Sequence, residues 1–274
     1  MFTSNIIADC HTHTNISHDC DCPLDDLVKS AKTKNINVLT ITDHCDIMTD
    51  AKDNILNSIE LSLSNIRSSS IKSKDIKLLF GIEIGESYSD LRFTEELLSS
   101  YHFDEVIGSV HSVRNPKFNK IYYSEIDFST FNEDEIYLYL DNYFDDVIHM
   151  VSVFKCDVLA HLTCPLRYIV HKYNIPVSLS PFSEKISNIL DIIINRKIAL
   201  EINTSCISNN ILMPNTEILR LYREKGGYLV TAGSDAHTKD NVGNGFYKLA
   251  QTLKELGFEH CYYYENRQPI PYKI

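Results

Sequence analysis

The 274-residue sequence predicts a closed or nearly closed α/β barrel of about seven parallel strands. Three observations lead there. Short runs of β-branched and aromatic residues alternate with stretches of helical spacing, the pattern of βα units joined by short connections. The length matches one large barrel. Six of the seven apolar runs end in a histidine or a carboxylate. An open doubly wound sheet brings only two or three strand ends to its crevice, whereas a ring brings all of them to one mouth.

The elements follow in order. The first run, residues 6–10, leads into Asp9-Cys10-His11-Thr12-His13. A helix over 24–34 begins behind Pro23 and places Leu27, Val28 and Ala31 on one face. The second run, 38–42, ends in Thr42-Asp43-His44, and the helix over 54–69 puts Leu56, Ile59, Leu63 and Ile66 on one face. The serine-rich stretch 64–74 is expected to turn a surface corner. The run 77–83 ends in Gly81-Ile82-Glu83 and precedes a helix over 93–99; the run 105–110 leads to Gly108-Ser109-Val110-His111. The aromatic connection 115–132 reads equally as a lid or as a plain surface loop. A helix over 133–153, a run 156–161 ending in Ala160-His161 and a helix over 183–195 come next. The run 198–203 carries Glu201 and Asn203 at its end, and Pro214-Asn215 starts the helix over 215–224. The seventh run, 228–233, ends in Gly233-Ser234-Asp235-Ala236-His237, with a helix over 246–256 after it. Residues 258–274 read as a terminal strand and tail. With no internal repeat and no boundary signal, residues 1–274 are expected to form one unit.

Charge and composition exclude several functions. With 26 Lys+Arg against 37 Asp+Glu the formal charge is −11, and no Lys/Arg run occurs. A nucleic-acid groove or an anionic membrane surface is therefore not the expected partner. No stretch has the length of an apolar membrane span, and the start Met1-Phe2-Thr3-Ser4-Asn5 lacks the features of a secretion signal, so a cytoplasmic location is expected. There the eight cysteines are expected to be reduced thiols. Cys10, Cys20 and Cys164, close to the strand-end histidines, are candidates for oxidation sensitivity.

Six of the eleven histidines fall at strand ends. Imidazoles mixed with carboxylates suit Zn²⁺, Mn²⁺ or Fe²⁺. Nine or so such groups exceed the need of one ion, so two or three divalent ions are expected, and three would change −11 to −5. The chemistry natural to such a cluster is hydrolysis of a small phosphate ester by metal-held hydroxide, without a covalent enzyme intermediate.

In this order, DxHxH, TDH, GIE, GSVH, AH and GSDAH resemble the PHP family, named for polymerase and histidinol phosphatase, along nearly the whole chain. The resemblance implies a distorted (β/α)₇ barrel with a trinuclear metal site. It implies that His11, His13, Glu83 and Asp235 hold one metal, and that Glu83 bridges to a second metal taking His111 and His161. A third would take His44, His237 and Asp19, with His18 competing for the place of Asp19. Within the family the chain is most similar to the stand-alone histidinol phosphatases, through Ala199-Leu200-Glu201-Ile202-Asn203-Thr204-Ser205 and through Leu166-Arg167-Tyr168, where those enzymes keep a phosphate-binding arginine. The implied activity is hydrolysis of L-histidinol phosphate in histidine biosynthesis, with Arg167, Asp235 and His237 as the catalytic set. One departure is the segment after Ser205: relatives have Gly-Leu and a basic residue, and here Cys206-Ile207-Ser208 follows. That departure keeps a PHP-type phosphatase of nucleotide, sugar or phosphotyrosine esters as an alternative. A non-catalytic polymerase-associated module is a further one, set against the acidic charge and the full ligand set.

The remaining polar groups have simpler expectations. Asp9 and Asp43 are expected to orient ligands, with helix capping an alternative for Asp43. Glu201 and Asn203 are expected to contact either ligands or substrate. Glu86 reads as a solvated loop acid, or else as a partner for a substrate amine. His102, His149, His171 and His260 have no motif around them and are expected to be structural or exposed.

Overall fold

A computed structural model describes residues 7–118, 121–207 and 211–274. The first five residues, the start of the first expected strand, part of the 115–132 connection and Ser208 lie outside the described residues.

The strands are β1 (Ala8–Thr12), β2 (Val38–Ile41), β3 (His44–Asp46), β4 (Lys77–Gly85), β5 (Glu105–Ser109), β6 (Val158–Leu159), β7 (Ala199–Asn203) and β8 (Val230–Gly233). Seven of them follow the ring β1-β2-β4-β5-β6-β7-β8, all parallel. The short β3 resumes the path of β2 after a two-residue break and pairs with β4, bringing His44 beside Glu83. The ring closes at its mouth. Thr12 bridges Ala236, Asp235 N–H donates to His11 O at 2.8 Å, and His13 N–H donates to Ala236 O at 3.0 Å. The nearly closed barrel of seven parallel strands is therefore the architecture predicted.

Helices α1 (Leu24–Thr33), α2 (Lys52–Lys72), α3 (Leu91–Ser100), α4 (Glu133–Val153), α5 (Ser183–Arg196), α6 (Thr216–Glu224) and α7 (Phe246–Glu255) flank the barrel. Local chemistry sets their starts. Asn132 and Glu135 form a reciprocal capping box at α4, and Asn215 accepts the Ile218 N–H at α6.

Two expectations of local structure need correction. The stretch 64–74 is no corner: α2 continues through it to Lys72. Its buried face is Ile55, Ile59, Ser62, Ile66 and Ser69, with Leu56 turned outward. Serines take inward positions because each finds an acceptor, Ser62 on Asp43 at 2.8 Å and Ser69 on Asp25 at 2.9 Å. At the C-terminus, the expected strand and tail is a hairpin of β9 (His260–Glu265) and β10 (Gln268–Lys273). Its two turn residues, Asn266 and Arg267, both have positive φ, as a two-residue hairpin turn requires. Pro269 and Pro271 are tolerated because β10 is an edge strand. The 115–132 connection packs inward through Phe118, Tyr123, Ile126 and Phe128.

Candidate metal centre

The strand ends meet at the barrel mouth. Glu83, near the end of β4, is the hub and is fully buried. Its Oε1 lies 3.2 Å from His111 Nε2 and 3.0 Å from His161 Nε2. Its Oε2 lies 2.9 Å from His44 Nδ1, 3.4 Å from His11 Nε2 and 3.6 Å from His13 Nε2. One carboxylate thus divides its two oxygens between two sets of imidazoles. Asp235 Oδ1 faces His13 Nε2 at 3.4 Å, His11 Nε2 at 3.9 Å and His237 Nδ1 at 3.5 Å. Asp19 reaches His237 Nε2 at 3.1 Å and His44 Nε2 at 3.5 Å. The neighbouring His18 instead stacks its ring against Tyr122 and lies 5.3 Å from the His44 ring. All nine residues singled out in the sequence are brought together, Asp19 included.

Oxygens behind the imidazoles orient them. His11 Nδ1 is 2.7 Å from Glu201 Oε1, and His111 Nδ1 is 2.8 Å from Asp46 Oδ1. A carboxylate only accepts, so Nδ1 of each carries a proton, and Nε2 of each is the atom turned to the centre and available to ligate. His237 Nδ1 is held at 3.0 Å by the Asp235 carbonyl. His13 Nδ1 is 3.1 Å from Ser17 Oγ, whose own proton goes to Asp43 Oδ1 at 3.0 Å. Asp43 therefore acts on His13 through Ser17, and it also takes the Thr14 N–H at 2.7 Å. Asp9 accepts from Ser234 and Gly243, tying β1 to the segment that carries Asp235. Glu201 also takes the His161 N–H at 2.6 Å, which assigns it to ligand orientation.

Two glycines make room for these carboxylates. A Cβ on Gly85 would sit 2.0 Å from Asp46 Oδ1, and one on Gly233 would sit 2.1 Å from Glu201 Oε1 and 2.7 Å from His11 Cβ. Asp235 and Glu86 are non-glycine residues at positive φ, 51° and 44°. Strained backbone of this kind concentrates at functional sites. Glu86 is fully buried and accepts the N–H groups of His111 and Ser112, which corrects the reading of a solvated loop acid. Burial and the Asp46 carboxylate push it well above the ordinary carboxylate range.

The donor set fits divalent metal. Imidazole nitrogens and carboxylate oxygens form three groups whose ligand atoms lie within 4.8 Å of one another: His13-His44-His237, His11-His13-Glu83 and His44-Glu83-His111. His44 Nδ1, Glu83 Oε2 and His237 Nε2 are buried and close to partners, yet none makes a hydrogen bond of acceptable geometry. Lone pairs aimed at a shared centre have that signature. The electrostatics agree. Burial opposes ionisation of Glu83, but the His11, His111 and His44 imidazoles hold it well below the carboxylate range. His13 is lowered by burial and by His44 and His237, so it stays neutral and able to ligate. Burial lowers His44, His11 and His111 too, but the surrounding carboxylates, Glu83 foremost for His44 and His111 and Glu201 for His11, raise all three, His44 to about 10. The centre favours positive charge, which a divalent ion supplies by displacing these protons.

Arg167 opens a wide helical turn, Arg167–Lys172, at the rim of the cleft, with its side chain 25% exposed. It donates to Ser205 Oγ at 2.8 Å and to Asp235 Oδ2 at 3.4 Å. Tyr122, Tyr123 and Tyr168 line the same cleft. Sequence reasoning missed Asp46 and Ser17. Asp46 follows His44 by two residues and so shares its side of the strand, a signal that was available; Ser17 has none. The thiols are unpaired as expected, but the three near the site are not activated. All eight cysteines are free, but burial pushes Cys10 and Cys164 up, and Cys20 to about 11, away from the reactive thiolate. Cys20 is a donor to the His237 and His13 carbonyls. His102 and His171 are exposed and His149 and His260 half-buried.

A seven-stranded parallel barrel with a histidine–carboxylate cluster at the C-terminal ends of its strands defines the class of a metal-site α/β barrel. The PHP domain model matches residues 9–205, and the chain belongs to that family. Asp235 and His237 lie beyond the matched range and join the cluster through β8. A probable histidinol-phosphatase of Clostridium acetobutylicum is 27% identical over 264 residues, covering 93% of this chain and 97% of that protein. The histidinol-phosphatase of Lactococcus lactis subsp. lactis is 26% identical, with 91% of each covered. A crystal structure of histidinol phosphate phosphatase from Lactococcus lactis, complexed with zinc, L-histidinol and phosphate, superposes with a TM-score of 0.81 at 20% identity, covering 96% of this chain and 98% of that one. A putative histidinol phosphatase from Listeria monocytogenes gives 0.70 at 17% identity, covering 88% and 99%. Among the described residues, no helix is long and apolar enough to cross a membrane.

Proposed function

We propose that this chain hydrolyses a phosphomonoester at the barrel mouth, that the ester is L-histidinol phosphate, and that it does so in cytoplasmic histidine biosynthesis as one unit. The observation that carries the reading is Glu83, whose two oxygens face two different sets of imidazoles. Histidinol-phosphatases matching more than nine-tenths of the chain support the substrate. The ligands are His11, His13, Asp19, His44, Glu83, His111, His161, Asp235 and His237, holding two or three divalent ions of zinc, manganese or iron.

Bound there, the ions lower the pKa of a water toward neutrality and offset phosphoryl charge. The chain's own groups do the rest. Arg167 holds the phosphoryl oxygens at the rim by charge-assisted hydrogen bonds. Asp235 stands between Arg167 and the imidazoles of His11 and His13, fixing the substrate grip relative to the cluster. His237, one-quarter exposed, has its Nδ1 proton committed to a backbone carbonyl and turns Nε2 to Asp19. The buried wall of Glu201, Asp46 and Ser17 keeps the imidazole tautomers constant during turnover.

Phosphate release by zinc- or manganese-loaded protein tests this, with L-histidinol phosphate beside nucleotide and sugar phosphates and a phosphotyrosine peptide. The expected result is a kcat/KM for histidinol phosphate at least a hundredfold above the rest. Preference for another ester would move the substrate while keeping the phosphatase.

A further inference from the structure

Arg167 is not a free arm: a short hydrogen-bonded chain runs from it into the wall of the metal site. Its Nη1 donates to Ser205 Oγ at 2.8 Å. Asn203 Oδ1 accepts from both Ser205 Oγ–H, at 2.7 Å, and Ser205 N–H, at 3.0 Å. The hydroxyl's single proton is thereby committed to Asn203, so toward Arg167 the oxygen can only accept. Asn203 Nδ2 in turn donates to Glu201 Oε1 at 3.3 Å, the oxygen that holds His11 Nδ1 at 2.7 Å. On the far side Arg167 Nη2 donates to the Tyr168 hydroxyl at 3.2 Å. Together with the Nη1 contact to Asp235 Oδ2 at 3.4 Å, these bonds engage Nη1 and one hydrogen of Nη2. Nε–H and the remaining Nη2–H are left for a ligand, and two donors of one guanidinium fit two oxygens of a phosphoryl group.

We infer that Ser205 is a positioning residue that sets the Arg167 guanidinium edge-on to the phosphate, and that Asn203 locks Ser205 to the same carboxylate that orients His11. The inference rests on Arg167 being the phosphate contact proposed above. It also accounts for the departure at Cys206-Ile207: a single arginine held at both ends grips phosphate without a second cation in that segment.

The test is titration of inorganic phosphate into zinc-loaded protein, with zinc content measured on the same samples. Ser205→Ala is expected to weaken phosphate binding about tenfold, the effect of one charge-assisted hydrogen bond, with zinc content unchanged. Ser205→Cys keeps the volume, loses the good acceptor and should behave alike, whereas Ser205→Thr should restore binding to within about twofold of wild type. In turnover, KM should rise with kcat nearly constant. Phosphate binding by the Ala and Cys variants equal to wild type would overturn the inference, as would zinc-loaded wild type that binds no phosphate. Failure of wild type to hydrolyse histidinol phosphate, with the binding pattern intact, would remove the proposed substrate and support the positioning role.

Discussion

Glu83 and Glu105 are both fully buried carboxyls in adjacent strands, and their surroundings give them opposite charge states. Glu83 is ringed by imidazoles and ionised. Replacing it with Gln should cost at least half of the bound metal and lower turnover by 10³ or more, read by metal analysis and phosphate release. Glu105 is raised well above the carboxylate range, by burial first and then by Asp157. A raised acid is protonated in the fold while the unfolded chain ionises, so its contribution to stability is fully present below about pH 4.5 and falls as pH rises. The slope is about 1.4 kcal/mol per pH unit until the folded group itself ionises. Glu105→Gln should remove that slope, so urea denaturation of wild type and variant should diverge in favour of Gln between pH 5 and 7. The histidines and carboxylates of the cluster were legible in the sequence because they recur at strand ends, except Asp19, which lies in the loop between β1 and α1 and was indicated only by the family resemblance. Ser17 and the buried state of Glu86 were not legible, because a group that touches a ligand from behind carries no motif of its own; Asp46 was betrayed only by its alternation with His44 along β3.

At the scale of elements, the Glu201 side chain of β7 and the His11 side chain of β1 lie over the end of β8 so that residue 233 has no space for a side chain. Gly233→Ala should displace Glu201 or His11, at a cost of about 2 kcal/mol in stability, with a larger loss in metal retention. The C-terminal hairpin is clipped on by Arg267, which pairs with Asp157 and donates to the Lys155 carbonyl. Arg267→Ala leaves the largely buried Asp157 carboxylate without its cation and should destabilise by about 2 kcal/mol in chemical denaturation, with the metal site intact. The seven strands and seven helices were readable from apolar periodicity. What escaped it was the end of α2 beyond residue 69, where a surface corner was expected, and the strand β10. Serines hydrogen-bonded on an inward face look polar in sequence, and prolines argue against a strand whose edge position sequence alone does not reveal.

The whole molecule is a ring closed at the mouth by contacts of the very segments that bear ligands, Thr12 to Ala236 and His11 to Asp235. Metal binding and barrel closure therefore draw on the same residues. Stripping the metal should lower Tm by about 10 °C, reversed by zinc, because a ligand of the native state at a thousand times its Kd adds about 4 kcal/mol. The closed topology was legible from the number of strand ends bearing ligands; the short β3, which sets His44 beside Glu83, was not, since three residues give no periodicity. The most direct test of the cluster is the metal content per chain of zinc-loaded wild type and Glu83→Gln, measured together with phosphate release. Two or three ions per wild-type chain, at most one in the variant, and loss of turnover in step with the metal are the predicted result. A variant that keeps the full metal complement and full activity would contradict it.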